Sequence, residues 1–87
     1  MRIALVIDTP PDAQYHRATV DAIGHAADRL NLPVDVTIHA TDSLPRDGVV
    51  DGADGVVIGP GSPYRDEGAV WSVIAGARER GVPLVGT

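Results

Sequence analysis

The spacing of apolar and polar positions changes along the chain, and each change marks an element. Ile3–Ile7 is a continuous apolar run, the pattern of a strand covered on both faces. The Pro-rich segment Thr9-Pro10-Pro11-Asp12 ends it. From about Tyr15 to Leu30, apolar residues recur at spacings of three and four (Val20, Ile23, Ala27 and Leu30, with Ala26 beside them), which predicts a helix stopped by Asn31 and Pro33. In Pro33–Ala40, Val34, Val36 and Ile38 alternate with Asp35, Thr37 and His39, predicting a more exposed, edge-like strand. Asp42–Asp54 predicts a turn and a short helix opened by Ser43-Leu44-Pro45. Gly55–Ile58 reads as a third strand of the parallel-core type, and Gly59-Pro60-Gly61-Ser62-Pro63 must be a loop. A second helix is predicted from about Glu67 to Arg80, with Val70, Val73, Ile74 and Ala77 on one face. Gly81 is placed for a left-handed cap, and Pro83 enforces the exit. Val82–Val85 begins a fourth strand.

The resulting order, β-α-β-(α)-β-α-β with right-handed crossovers, predicts an α/β fold: a flavodoxin-like three-layer arrangement around a parallel sheet. With nothing after the fourth strand, one face of that sheet is expected to be poorly covered. The 87 residues allow one small domain.

Composition narrows the function classes. The 44% apolar share is mostly Val, Ile, Leu and Ala, with Tyr15, Tyr64 and Trp71 as the aromatics, which suits a buried parallel sheet. A net charge of −5 argues against nucleic acid and against an anionic membrane surface as partners. With no cysteine there is neither a disulfide nor a thiolate metal site. The opening apolar run is too short for a signal peptide, and no segment approaches the ~20 apolar residues of a membrane span. A cytoplasmic location is the resulting expectation. All seven cations are arginine, which points to the coding sequence's base composition rather than to structure.

Ligands of an open parallel sheet bind beyond the carboxyl ends of its strands. The loops expected there are Asp8–Asp12, Gly59–Arg65 and whatever would follow Thr87. Gly59 and Gly61 allow close backbone approach near the start of the second helix, where the helix dipole favours negative charge. Known phosphate motifs do not fit, however. Position 64 is Tyr where a dinucleotide fingerprint needs Gly, a Walker loop needs the absent Lys, and Gly59 stands where a receiver domain carries its acceptor Asp. The loop is therefore either a plain strand-to-helix turn or a backbone anion hole. Asp8 is expected to cap its own loop. His16 is a second cleft candidate, although a lone histidine beside a loop is more often simply solvated. His25 and His39 do not make a metal site. Arg65-Asp66-Glu67 is a charged helix start in which Arg65 could hold a substrate carboxylate. Trp71 belongs either to the core or to an interface.

Taken together, Gly52-Ala53-Asp54-Gly55-Val56-Val57-Ile58-Gly59-Pro60-Gly61, the opening strand Arg2–Val6 with Pro11-Asp12-Ala13, and Arg78–Thr87 resemble the class I glutamine amidotransferase domain of CTP synthases. The run Gly59–Arg65, with His16-Arg17-Ala18 upstream, is similar to the stand-alone CTP synthase C-terminal region-related proteins, some of which are selenoproteins. The resemblance implies the first four strands of such a domain over residues 1–87, ending before the nucleophile elbow, as a selenocysteine codon read as stop would produce. It implies a role in pyrimidine nucleotide biosynthesis for the complete protein. It also implies an oxyanion-hole and substrate loop of Gly59, Pro60, Gly61, Ser62, Tyr64 and Arg65, with Ser62 in the place of a family glycine, and a cleft including Asp8 and His16. The expected partner is a glutamine-like amide, with no cofactor, no metal, and self-association into a homo-oligomer. Nucleophile, His and Glu are absent, so this chain alone is expected to lack glutaminase activity. The rival expectations are a non-catalytic α/β module holding an anion at Gly59–Arg65, and an unfinished, unstable fragment.

Overall fold

A computed structural model describes residues 1–8, 13–44, 49–60 and 64–86. Its elements are strand β1 (Arg2–Val6), helix α1 (Gln14–Leu30), strand β2 (Asp35–His39), a 3-10 turn (Thr41–Ser43), strand β3 (Gly55–Ile58), helix α2 (Glu67–Arg80) and strand β4 (Leu84–Gly86). The four strands form one all-parallel sheet in the order β2-β1-β3-β4, consistent with the flavodoxin-like fold expected from the sequence. β1 is central and pairs with both β2 (Leu5 opposite Ile38) and β3 (Leu5 opposite Val57). β3 pairs in turn with β4.

The apolar runs became buried strands because water is excluded from both sides of β1. Ala4 and Val6 point to one face, where with Val56 and Ile58 they meet Val70, Val73 and Ala77 of α2. Val49 and Val50, from the β2–β3 connection, complete this core. Leu5 and Ile7 point to the other face and are equally buried. Right-handed crossovers put α1 on that second face, because β1 to β2 runs opposite to β3 to β4 across the sheet.

The two helices are held unequally. α2 starts at Asp66, whose side chain accepts a hydrogen bond from the Ala69 amide at 3.0 Å. It ends at Gly81, with φ +67° and the Val82 amide donating to the Ala77 carbonyl at 2.9 Å. α1 ends similarly at Asn31, φ 53°, with Leu32 N–H donating to the Ala27 carbonyl at 3.0 Å, but its start at Ala13 has no side-chain cap. Within α1 only His16 is buried. Its predicted stripe of Val20, Ile23 and Ala27 is half-buried, whereas Leu30 stays exposed.

Several expectations shift on contact with the structure. The short helical turn lies at Thr41–Ser43 and ends at Leu44, before the Pro45 that was expected to help open it; residues 45–48 lie outside the described residues. β4 begins two residues later than the apolar pattern suggests, because Val82 and Pro83 complete the turn out of α2. β2 is an edge strand and exposed as expected, with Ile38 47% exposed. Trp71 is not a core residue: it is 69% exposed.

Candidate functional site

The strand order reverses between β1 and β3, and the crevice at the carboxyl ends of these two strands is where ligands of doubly wound sheets lodge. Asp8 leaves β1 at this point. Its carboxylate ties three distant segments together; the loop it was expected to cap, residues 9–12, lies outside the described residues. Oδ1 accepts the Thr41 amide at 2.8 Å, while Oδ2 accepts the Thr41 hydroxyl at 2.7 Å and the Arg65 amide at 2.8 Å. Thr41 Oγ1 also accepts the Asp66 amide at 2.9 Å. One carboxylate and one hydroxyl thus fix the end of β1, the exit of β2 and the start of α2.

Burial raises the Asp8 pKa, but the hydrogen bonds from the Thr41 amide, the Arg65 amide and the Thr41 hydroxyl, with the Arg65 charge, outweigh it, and the pKa lies below its ordinary value. With these acceptor positions spent, Asp8 is a structural anchor, poorly placed to take a proton from a substrate.

Gly59 has a comparable fate. Its amide donates to the Val6 carbonyl at 2.8 Å and its carbonyl accepts the Tyr64 hydroxyl at 2.9 Å. A side chain there would press on Ile7, whose Cδ1 lies 2.7 Å from the position a Cβ would take. The glycine is needed for packing against Ile7, and its amide is not available to an anion.

Arg65 differs. Its backbone is fixed by Asp8, but its guanidinium extends into solvent, 58% exposed and 3.8 Å from the Asp42 carboxylate. His16 is buried at the start of α1. Pro60 is half-buried, Tyr64 packs against the core, and Gly61 and Ser62 lie outside the described residues. Among the described residues no cluster of three or more acidic, His or Cys side chains could hold a metal ion, and no helix is long and apolar enough to cross a membrane.

Thr41 is the site residue that the sequence reading missed. The available signal was positional: a Thr just after one strand and an Asp just after its parallel neighbour meet at the same end of the sheet. The reciprocal pair at the opposite end was missed as well. There Asp54 Oδ2 accepts the Arg2 amide, and the Asp54 amide donates to the Arg2 carbonyl, both at 2.7 Å.

Fold and site together define a small doubly wound α/β unit with its polar junction at the topological switch point. No family model matches the chain, and no solved structure matches it. Among curated proteins it is similar to a 4-hydroxy-3-methylbut-2-en-1-yl diphosphate synthase (flavodoxin) of Anoxybacillus flavithermus, with 39% identity over 64 residues. That match covers 74% of this chain and 17% of the synthase, so the chain spans about a sixth of its relative's length. The finding overturns the expected membership of the CTP synthase amidotransferases, and with it the expected roles in glutamine hydrolysis and pyrimidine biosynthesis. The physical reason lies in the run that carried the resemblance. Gly52–Gly61 encodes a buried parallel strand entering a loop, which many α/β sheets require. Its Gly59 serves Ile7, Val6 and Tyr64 in this structure, not an oxyanion.

Proposed function

We propose that this chain binds a short alkenyl diphosphate over the carboxyl ends of β1 and β3, with the head group against Arg65 and the start of α2. The observation that carries the reading is the divided role of Arg65. Its amide is pinned to Asp8 at 2.8 Å, while among the described residues its guanidinium has a loose, solvent-exposed pairing with Asp42 at 3.8 Å. A forked donor held in place at its root suits phosphate oxygens. Behind it, the amides of Glu67 and Gly68 open α2, where a helix has no acceptor of its own and the dipole is positive.

The similarity to the Anoxybacillus synthase supports the choice of ligand class, since that protein is named for a five-carbon alkenyl diphosphate. Asp42 and Glu67 would repel a bare diphosphate, so the ligand is taken as its magnesium complex; these two carboxylates would help hold the ion, which would offset the repulsion. The same reading puts the chain in the cytoplasm, because a diphosphate is too highly charged to cross a bilayer unaided.

The test is calorimetric titration with magnesium pyrophosphate and with the alkenyl diphosphate, followed by backbone NMR. Saturable binding with shifts at Arg65, Glu67 and Gly68 is expected. No response at about 10 mM ligand, weaker than the millimolar threshold of useful affinity, would exclude it.

A further inference from the structure

Along α2, the residues one step round from the buried Val70, Val73 and Ala77 are Trp71, Ile74 and Arg78, and Glu67 lies one turn before them. The spacings 67, 71, 74 and 78 are four, three and four, the pattern of an a/d seam in a helix pair. Trp71 is 69% exposed, Ile74 is half-buried, and Glu67 and Arg78 are exposed. The stripe faces past β4, where Ile58, Tyr64, Val70, Trp71, Ile74 and Leu84 line an open groove of about 350 Å³. Among the described residues no strand pairs with the outer edge of β4. Leu84, Val85 and Gly86 carry no charge, and Val85 is 59% exposed. The opposite edge, β2, has Asp35 and His39 to discourage pairing.

The ends of the stripe carry opposite charges. Glu67 stands at one end and Arg78 at the other, about 16 Å apart at 1.5 Å of rise per residue. Among the described residues neither is in an ion pair within this chain. A second copy related by a two-fold axis normal to the sheet would lie with its α2 antiparallel to the first. Glu67 of each chain then meets Arg78 of the other, and Trp71 meets Ile74 at the centre. The same axis brings β4 antiparallel to its mate and continues the sheet across the junction. We propose that this face is a self-complementary dimer interface, occupied by a second copy of the chain. Glu67 figures in both readings, but this test uses no ligand, so the two proposals fail separately.

Sedimentation equilibrium and tryptophan fluorescence of the full 87-residue chain decide it. The expected result is twice the chain's mass, with a dissociation constant on the order of micromolar. Because Trp71 is exposed, Trp71→Ala should fold normally by circular dichroism yet weaken the dimer by at least about tenfold, as loss of a central aromatic anchor does. Glu67→Arg and Arg78→Glu should each weaken it about threefold or more by facing like charges across the axis, and the double reversal should recover the original affinity. A monomer at every concentration up to about 1 mM would overturn the proposal and leave the face open to an unrelated partner. It would also be overturned by a dimer indifferent to Trp71→Ala, or by a double reversal no better than the single changes.

Discussion

Asp8 and Thr41 are joined twice: the carboxylate accepts both the backbone amide of Thr41, at 2.8 Å, and its hydroxyl, at 2.7 Å. Thr41 is 1% exposed, so its polar atoms have no ready substitute in water. Replacing Asp8 with Ala strands a buried amide and hydroxyl and releases the Arg65 amide. A loss on the order of 2–4 kcal/mol is expected in urea unfolding. Thr41→Val keeps the amide bond and loses the hydroxyl, so it should cost about 1–2 kcal/mol. If the two changes proved additive, the pair would not be acting as a unit.

The same carboxylate makes stability depend on acid. Its pKa is lower in the folded chain than in the unfolded one, so on acidification the unfolded chain takes up the proton first. The contribution is complete above the unfolded value, about 4, and is lost as pH falls through the lower folded value. Thermal melts between about pH 6 and pH 2 should therefore show the parent chain losing its advantage over Asp8→Asn on the acid side. An advantage that persists unchanged to the lowest pH would contradict the lowered pKa.

Gly59 is expected to resist even the smallest side chain. Gly59→Ala would place a Cβ 2.7 Å from Ile7 Cδ1 and 2.9 Å from Cγ1, closer than real contacts allow. Destabilisation of about 1–3 kcal/mol is the expected outcome. Combining it with Ile7→Ala, which removes both atoms, should give a double-mutant coupling of about 0.5–3 kcal/mol. Zero coupling would mean that Gly59 is required for some other reason.

The two helix ends differ in how far they are optimised. Gly81→Ala forces a Cβ into a left-handed conformation, φ +67°, and should cost about 1 kcal/mol. Asn31→Gly relieves the corresponding cost at φ 53° while loosening the unfolded chain, so a change within about 0.5 kcal/mol is expected. Denaturation midpoints of the two variants check the contrast.

For the ligand site, Arg65→Ala should weaken magnesium pyrophosphate binding by tenfold or more, about 1.4 kcal/mol, and leave the fold intact. Arg65→Lys should recover only part of the loss, because an ammonium cannot match the fork. Equal affinity in all three proteins would move the head group elsewhere.

Much of this architecture is legible in the sequence because it depends on periodicity. The switches from apolar runs to three-and-four spacing located β1, β3 and α2 closely, and Gly81 and Pro83 announced the end of α2. The polar junction was harder to read. Asp8, Thr41 and Arg65 lie 33 and 57 positions apart along the chain, and only the folded sheet brings them to one end. The Gly52–Gly61 run misled for a related reason. A glycine that yields to a neighbouring isoleucine and one that yields to a ligand look alike in sequence, and only the position of Ile7 tells them apart.

The sheet's two faces are covered to different depths, and this gives the molecule an order of release. On the α2 side, Val70, Val73 and Ala77 interlock with four strand residues and with Val49 and Val50. α1 has a single buried side chain and an uncapped start. Amide hydrogens of α1 should thus exchange through openings well below the free energy of global unfolding, while those of β1, β3 and α2 wait for the whole chain to come apart. The molecule is in effect a firm half carrying a looser cover, with β1, β3 and α2 on one side of that division and α1 on the other.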